Sequence, residues 1–201
     1  MGCSSSTEAY DAAILLPLQQ PIAVFHPKFA APIPVCLHLK QKLWSWSGDD
    51  FTIRDPNTGT PYFRIRGDAL SFRRTKTLVD FQGAPIAVME EPVMSFVRRQ
   101  EVFTPAMAKK FEITPRITMF DNVLDCVVVD CITGKTHVLG VQGDWLARKT
   151  VITCDGIPIA KVFSPINFVQ DEYYVNIAPG VDMALIVLLC MALEEAAEER
   201  G

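Results

Sequence analysis

The chain has 201 residues, a net charge of −4 at pH 7 and 49% hydrophobic residues. This length is enough for one well-filled domain and a short extension, and the hydrophobic content excludes a disordered protein. The negative charge disfavours general nucleic-acid binding, so no specific nucleic-acid partner is expected.

The first six residues, MGCSSS, match the N-myristoylation pattern, in which Gly2 is exposed once Met1 is removed. One myristoyl chain binds a membrane only marginally, so a second signal is needed. The first basic residue is Lys28, which leaves palmitoylation of Cys3 as the predicted second signal. We therefore expect a cytoplasmic protein that is peripheral on a membrane, the plasma membrane above all, through acylation. The alternative is a serine-rich disordered start that matches by chance.

The next stretch, residues 7–34, carries five prolines among short apolar clusters. Such composition favours an extended backbone and resists regular structure. Residues 1–34 are therefore assigned to an N-terminal extension and residues 35–201 to the folded body. The extension is either a spacer between the lipid anchor and the body or a segment that lies across the barrel wall.

From Val35 onward, apolar and polar residues alternate with a period of two, which is typical of half-buried antiparallel strands. The alternating apolar pairs include Leu37 and Leu39, Phe51 and Ile53, Phe63 and Ile65, Leu70 and Phe72, and Phe111 and Ile113. Turn signals separate these runs at short intervals. Many short strands before one late helix predict an antiparallel barrel or a sandwich.

One turn pattern occurs three times, with glycine two residues before proline at the start of a strand. Glycine supplies the positive φ of a turn, and proline is tolerated where a strand begins. An aspartate precedes each copy, and we interpret the three as one structural hairpin device. The glycines of the three copies are Gly59, Gly83 and Gly156.

Residues 183–193 read MALIVLLCMAL, without one polar side chain. Asp182 stands before the run as a natural N-cap, and Glu194 and Glu195 follow it as charge that seeks water. A helix that is apolar on every side must be enclosed by protein or by lipid. At ~1.5 Å per residue the run spans about 16 Å, roughly half of a bilayer core, so enclosure by protein is the prediction. Such a helix would fill a closed barrel, which favours the barrel over the sandwich.

Two end motifs resemble the LURP-one-related family. The opening motif is LWSWSGDDFTIRD followed by YFRIRG, and the closing motif is DEYYVNIAPGVD with the helix after it. The likeness covers about residues 35–197 and is loose near residues 98–122. It implies a tubby-like fold, in which about twelve antiparallel strands close a barrel around the C-terminal helix. The same fold is shared with phospholipid scramblases. Plant members are linked to defence, and tubby relatives bind phosphoinositides.

Seven basic residues near the first strands are predicted to contact phospholipid phosphates if the strands are neighbours. They are Lys40, Lys42, Arg64, Arg66, Arg73, Arg74 and Lys76. A second patch could form from Arg98, Arg99, Lys109 and Lys110. An ordinary solvated outer face is the alternative interpretation of both.

No enzyme is predicted, because no nucleophile motif, phosphate loop or dinucleotide fingerprint occurs. The six cysteines form no Cys-x-x-Cys pair, so no metal site and no cofactor are expected. Calcium binding by Asp171 and Glu172 stays open. The predicted function is a monomeric, membrane-associated module that binds anionic phospholipid or phosphoinositide, with a possible protein partner in signalling or defence. A soluble interaction scaffold and a scramblase-like lipid mover are the alternatives.

Overall fold

A computed structural model describes residues 3–40, 51–67, 75–92, 99–117, 122–164 and 172–198. Helix α1 (Cys3–Ala12) comes before the strands in the chain, and helix α2 (Met183–Glu198) comes after them. A 3-10 turn spans Pro27–Phe29. The strands are β1 (Val35–Lys40), β2 (Phe51–Arg54), β3 (Pro61–Gly67), β4 (Lys76–Asp80), β5 (Pro85–Glu90), β6 (Gln100–Phe103), β7 (Lys109–Ile117), β8 (Asn122–Val129), β9 (Thr136–Asp144), β10 (Lys149–Cys154), β11 (Ile157–Phe163) and β12 (Glu172–Ile177).

The twelve strands form one closed antiparallel barrel in which each strand pairs with its neighbours in sequence. Closure occurs between β1 and β12, whose register runs from Val35 opposite Ile177 to Lys40 opposite Glu172. Because directly opposed residues of an antiparallel pair point to the same face, this register places Leu37 and Leu39 inside. The barrel prediction is confirmed.

Helix α2 forms part of the barrel core, and its residues from Met183 to Leu193 are all buried. The predicted N-cap is also confirmed, because Asp182 Oδ1 accepts hydrogen bonds from the Ala184 and Leu185 backbone N–H groups. The expectation for Glu194 and Glu195 is wrong, since both are buried at the far end of the helix. Among the residues described, no helix combines the length and the apolar character that crossing a bilayer requires.

Residues 18–34 pack on the body and cover the barrel end where α2 begins. Ile22 and Val24 are buried in the core, and Ile22 donates its N–H to Gly180 O at 2.8 Å. Asp182 Oδ2 accepts the N–H groups of Val24 and Phe25 at 2.8 and 3.0 Å. Of the two alternatives for this extension, the structure shows the packed segment, and residues 18–34 of it cover the barrel end.

The first part of the extension is helical, which the proline content did not predict. Helix α1 ends at Ala12, five residues before the first proline, and lies against the outside of β9 and β10. The Lys161 ammonium lies 4.3 Å from the centroid of the Tyr10 ring and donates to Ala13 O. Docking on the sheet supplies the stabilisation that a ten-residue helix lacks on its own.

The three glycine turns are confirmed as tight turns with positive φ at Gly59, Gly83 and Gly156. In the first two, an aspartate closes its own turn: Asp55 Oδ1 accepts from Asn57 N, and Asp80 Oδ1 accepts from Ala84 N. The third turn differs because the Asp155 side chain binds the neighbouring strand β9 instead.

Candidate functional site

Four basic residues project outward from three neighbouring strands, and we call Lys40, Arg54, Arg64 and Arg66 the basic face. The register sets His38 opposite Arg54 and Thr52 opposite Arg64. Since the inward positions between them hold Ile53, Phe63 and Ile65, the alternation of each strand forces the cationic side chains to the outside.

The two arginines of β3 lie near the backbone of the β4–β5 turn. One Arg64 guanidinium nitrogen lies 3.5 Å from Phe81 O. A Cβ placed on Gly83 would stand 3.4 Å from an Arg66 guanidinium nitrogen, so Arg66 also reaches toward this turn. Both arginine side chains therefore lie along the sheet surface toward the β4–β5 turn.

Arg54 belongs to this face although the sequence prediction omitted it. It is exposed at the end of β2, one position beyond the buried Ile53. The sequence pattern could have placed Arg54 on this face, because Arg54 continues the same polar alternation as Thr52.

Lys40 is partly neutralised at the edge of the basic face. Its ammonium lies 3.4 Å from Glu172 Oε1 and 5.7 Å from the centroid of the Phe51 ring. The second carboxylate oxygen of Glu172 lies 3.1 Å from His38 Nε2. Glu172 thus pairs with basic side chains, and Asp171 lies outside the described residues.

An aromatic row adjoins the basic face on the outside of β11, β12 and β1. The Phe163 and Tyr174 rings stack with centroids 5.6 Å apart, and the Tyr174 and His38 rings stack at 5.0 Å. Burial raises the pKa of Tyr174, and the Glu172 carboxylate adds to this rise. The stacked rings of Phe163, Tyr174 and His38 pack together next to the cations of this side of the barrel, and Tyr174 at the centre of the row is buried.

The prediction that Lys76 contributes to the outer face is wrong. Lys76 is buried at the start of β4, and its ammonium pairs with the carboxylate of Glu195 on α2. The reason is parity, because Lys76 lies on the same side of β4 as Leu78, which faces the core. Three other predicted contacts, Lys42, Arg73 and Arg74, lie outside the described residues, as does Gly2; Cys3 is the first residue of α1.

Two residues of the second predicted basic patch, Lys109 and Arg99, pair with carboxylates, whereas Lys110 donates to Val24 O and Arg98 lies outside the described residues. Lys109 Nζ lies 2.8 Å from Glu101 Oε1 and also pairs with Glu112, while Arg99 lies 3.6 Å from Glu112. Hydrogen bonds to Glu101 and Glu112 raise the pKa of Lys109, and the bond from Lys109 lowers the pKa of Glu112. These cations already have carboxylate partners, so they offer little to a phosphate.

The C-terminal end of α2 is fixed by buried ion pairs. The Arg148 guanidinium pairs with the fully buried carboxylate of Glu194 and lies 4.5 Å from the centroid of the Tyr173 ring. Burial, and secondarily the Glu194 carboxylate, raises the pKa of Tyr173 well above its usual value. Lys76 and Glu195 form the second pair, so the helix is anchored at this end as Asp182 anchors it at the other.

The three histidines have separate contacts. His26 Nδ1 accepts the N–H of Lys28 at 3.0 Å, His38 stacks in the aromatic row, and His137 Nδ1 lies 2.8 Å from Asp155 Oδ2. They are not arranged as parts of one catalytic group.

These features define the class of protein as a closed twelve-stranded barrel threaded by its own C-terminal helix, with a cationic outer face. The family model described as LURP-one-related matches residues 35–194. The chain therefore belongs to the LURP-one-related family.

Several Arabidopsis thaliana proteins are similar to it along most of their length. Protein LURP-one-related 15 is 24% identical over 189 residues, which cover 88% of this chain and 86% of that protein. Protein LURP-one-related 10 is 23% identical, with coverage of 89% and 98%. Protein LURP1 is 22% identical, with coverage of 89% and 91%.

An Arabidopsis thaliana protein solved by X-ray crystallography has the same fold, with a TM-score of 0.63 and 21% identity. The match covers 87% of this chain and 98% of the solved chain. At this identity the likeness supports the barrel architecture.

Proposed function

We propose that this LURP-one-related protein is a non-enzymatic membrane-associated module that binds anionic phospholipid through the basic face. Acyl groups on Gly2 and Cys3 hold it at the cytoplasmic side of a membrane, where the basic face contacts lipid headgroups. Phosphoinositides are the proposed ligands because they present several phosphate oxygens to a cluster of arginines.

The observation that carries the proposal is the chemistry of β2 and β3. Along these two strands as described, the outward positions hold Thr52, Arg54, Tyr62, Arg64 and Arg66, so three of the five are arginines. A guanidinium is a planar donor that matches phosphate oxygens in pairs. Each cation near an anionic bilayer contributes about 1 kcal/mol, so the three arginines contribute about 3 kcal/mol.

Vesicle co-sedimentation of the unlipidated protein tests the proposal. We expect binding to phosphatidylcholine vesicles that contain a phosphoinositide, weaker binding to pure phosphatidylcholine, and weakening by salt. Replacing Arg54, Arg64 and Arg66 together by Gln should weaken binding about 100-fold, because about 1.4 kcal/mol corresponds to tenfold.

A matched control removes three cations elsewhere, at Lys109, Lys135 and Lys149. If lipid binding reflected overall charge alone, the control would lose as much affinity as the arginine variant. Equal losses, or equal binding to neutral vesicles, would contradict a role for the basic face and favour a soluble interaction scaffold.

The anchoring half of the proposal has its own test. Mass spectrometry of the mature N-terminus should show myristoyl on Gly2, and Gly2→Ala should move the protein from the membrane to the soluble fraction of cells. Cys3→Ser should release part of it, because a single chain binds only marginally. If Gly2 is found unmodified, the acyl anchor is contradicted. The vesicle assay then tests the basic face independently.

The structure disfavours a scramblase-like mechanism in which α2 leaves the barrel. Extraction would separate Arg148 from Glu194 and Lys76 from Glu195, and it would break the two hydrogen bonds that Val24 and Phe25 donate to Asp182. Separating buried charges is costly, so the helix should stay in place while the outer strands contact lipid.

A further inference from the structure

Three side chains that can ligate a metal meet near the barrel end where α2 begins. They are His137 of β9, Cys154 at the end of β10, and Asp155 in the turn that follows. One ligand atom from each lies within 4.8 Å of the others. The histidine and the cysteine are buried, whereas the Asp155 side chain is 37% exposed, so the cluster has a hydrophobic floor and one side open to water.

The strand register explains why these residues meet although His137 and Asp155 are eighteen positions apart. Cys154 pairs with Leu139 across the β9–β10 ladder, which brings the following turn over the start of β9. Asp155 has a positive φ of 51°, and its Oδ1 accepts the Val138 N–H at 2.9 Å. The carboxylate is thereby turned toward β9 and away from its own turn, unlike Asp55 and Asp80.

We propose that His137, Cys154 and Asp155 form a binding site for a thiophilic divalent metal ion, with Zn²⁺ the best fit. Thiolate, imidazole and carboxylate are the three ligand types that zinc uses in proteins. Zinc bonds of about 2.0–2.3 Å place tetrahedral ligand atoms roughly 3.3–3.8 Å apart, so the three atoms need to move by about 1 Å. Water from the exposed side completes the tetrahedron, and the sulfur ligand disfavours Mg²⁺ and Ca²⁺.

Two features of the surroundings shape the affinity. Cys154 is buried, and its thiol must lose a proton when it binds the metal. The Lys135 ammonium lies 3.8 Å from Asp155 Oδ2 and opposes a cation, but its side chain is exposed and can turn into solvent. The hydrogen bond between His137 and Asp155 is exchanged for two bonds to the metal.

Titration of the reduced full chain with Co²⁺ tests the site, because a cobalt–thiolate bond gives a near-ultraviolet charge-transfer band. We expect one equivalent of Co²⁺ to bind with this band and Zn²⁺ to displace it. Cys154→Ser should abolish the band, and His137→Gln should weaken binding at least tenfold. Cys126→Ser and Cys131→Ser are the matched controls, since these cysteines lie outside the cluster, and both should keep the band.

Thermal unfolding provides a second readout that does not depend on the cysteine variant folding. Zn²⁺ at a hundredfold excess over its Kd should raise the Tm of the parent by about 5–10 °C, and the same concentration should raise the Tm of His137→Gln by at most about half as much. The proposal is overturned if the parent shows no thiolate band, if the band survives Cys154→Ser, or if His137→Gln keeps the full rise in Tm.

Discussion

Asp182 joins the N-terminal segment to the central helix, and Asp182→Asn tests how much this contact stabilises the fold. The fully buried carboxylate accepts two N–H groups of α2 through Oδ1 and two from Val24 and Phe25 through Oδ2. Asparagine has the same shape but only one acceptor oxygen. If that oxygen keeps the helix cap, the amide NH₂ faces two N–H donors and leaves both without an acceptor.

The expected loss follows from these bonds. A buried donor without a partner costs about 1–3 kcal/mol, so two donors cost about 2–6 kcal/mol. Removing a charge that burial destabilises returns part of this, which leaves a net loss of about 2–4 kcal/mol. Denaturant unfolding at pH 7 measures the loss, and hydrogen exchange should show the amides of Val24 and Phe25 exchanging faster while those of the mid-helix residues stay protected.

The stability difference between the parent and Asp182→Asn should also depend on pH. Burial, partly offset by the four hydrogen bonds, raises the pKa of Asp182 above its usual value. Stability from this group is therefore complete below the unfolded pKa and declines as the pH rises through the folded pKa. The deficit of Asp182→Asn relative to the parent should be larger near pH 4 than at pH 7.

Asp11→Asn, at an exposed position on α1, serves as the control and should change stability by less than about 0.5 kcal/mol. The reasoning is refuted if Asp182→Asn loses no more than this control, or if the exchange of Val24 and Phe25 is unchanged while stability falls.

Three further predictions concern the core and its charges. Glu194→Gln leaves Arg148 buried without its counter-charge and should cost about 3–5 kcal/mol in denaturant unfolding; a loss below 1 kcal/mol would contradict a buried pair. Leu188→Ala opens a cavity in the fully buried helix and should lower Tm through a loss of about 2–5 kcal/mol. Burial opposes the ionisation of Asp130, but hydrogen bonds from Ala23 and Thr133 outweigh it and lower its pKa. Its contribution is complete above the ordinary pKa and is lost as the pH falls, so Asp130→Asn should flatten the stability profile between about pH 5 and pH 2.

The sequence pattern was most informative where one face of an element differs from the other. Alternation located the strands around Leu37, Ile53 and Phe63, because a half-buried strand must place apolar residues on one side. The pattern was ambiguous in β4, where Leu78 and Val79 are both buried and the parity of Lys76 could not be read. There the register with β3 and the position of Glu195 decided which way the lysine points.

In the candidate site too, some features could be predicted from the sequence and others could not. Arg64 and Arg66 could be assigned to an outer face because they alternate with Phe63 and Ile65. The neutralisation of Lys109 by Glu101 could not be predicted, since the pair lies on different strands and depends on their register. Likewise, no spacing rule predicts a cluster of His137, Cys154 and Asp155, because it forms only when the β9–β10 ladder brings the start of β9 beside the end of β10.

By itself the sequence determined the strand faces, the three glycine turns, the central helix and the cap at Asp182. Each of these features depends on local periodicity or on the conformational preference of one residue, and both can be recognised from a short stretch of sequence. Only the tertiary structure decided that Glu194 and Glu195 are buried, that residues 18–34 cover the barrel end, and that Lys76, Lys109 and Arg99 pair with carboxylates. Those outcomes depend on distances between residues far apart in the chain, and barrel closure fixes these distances all at once.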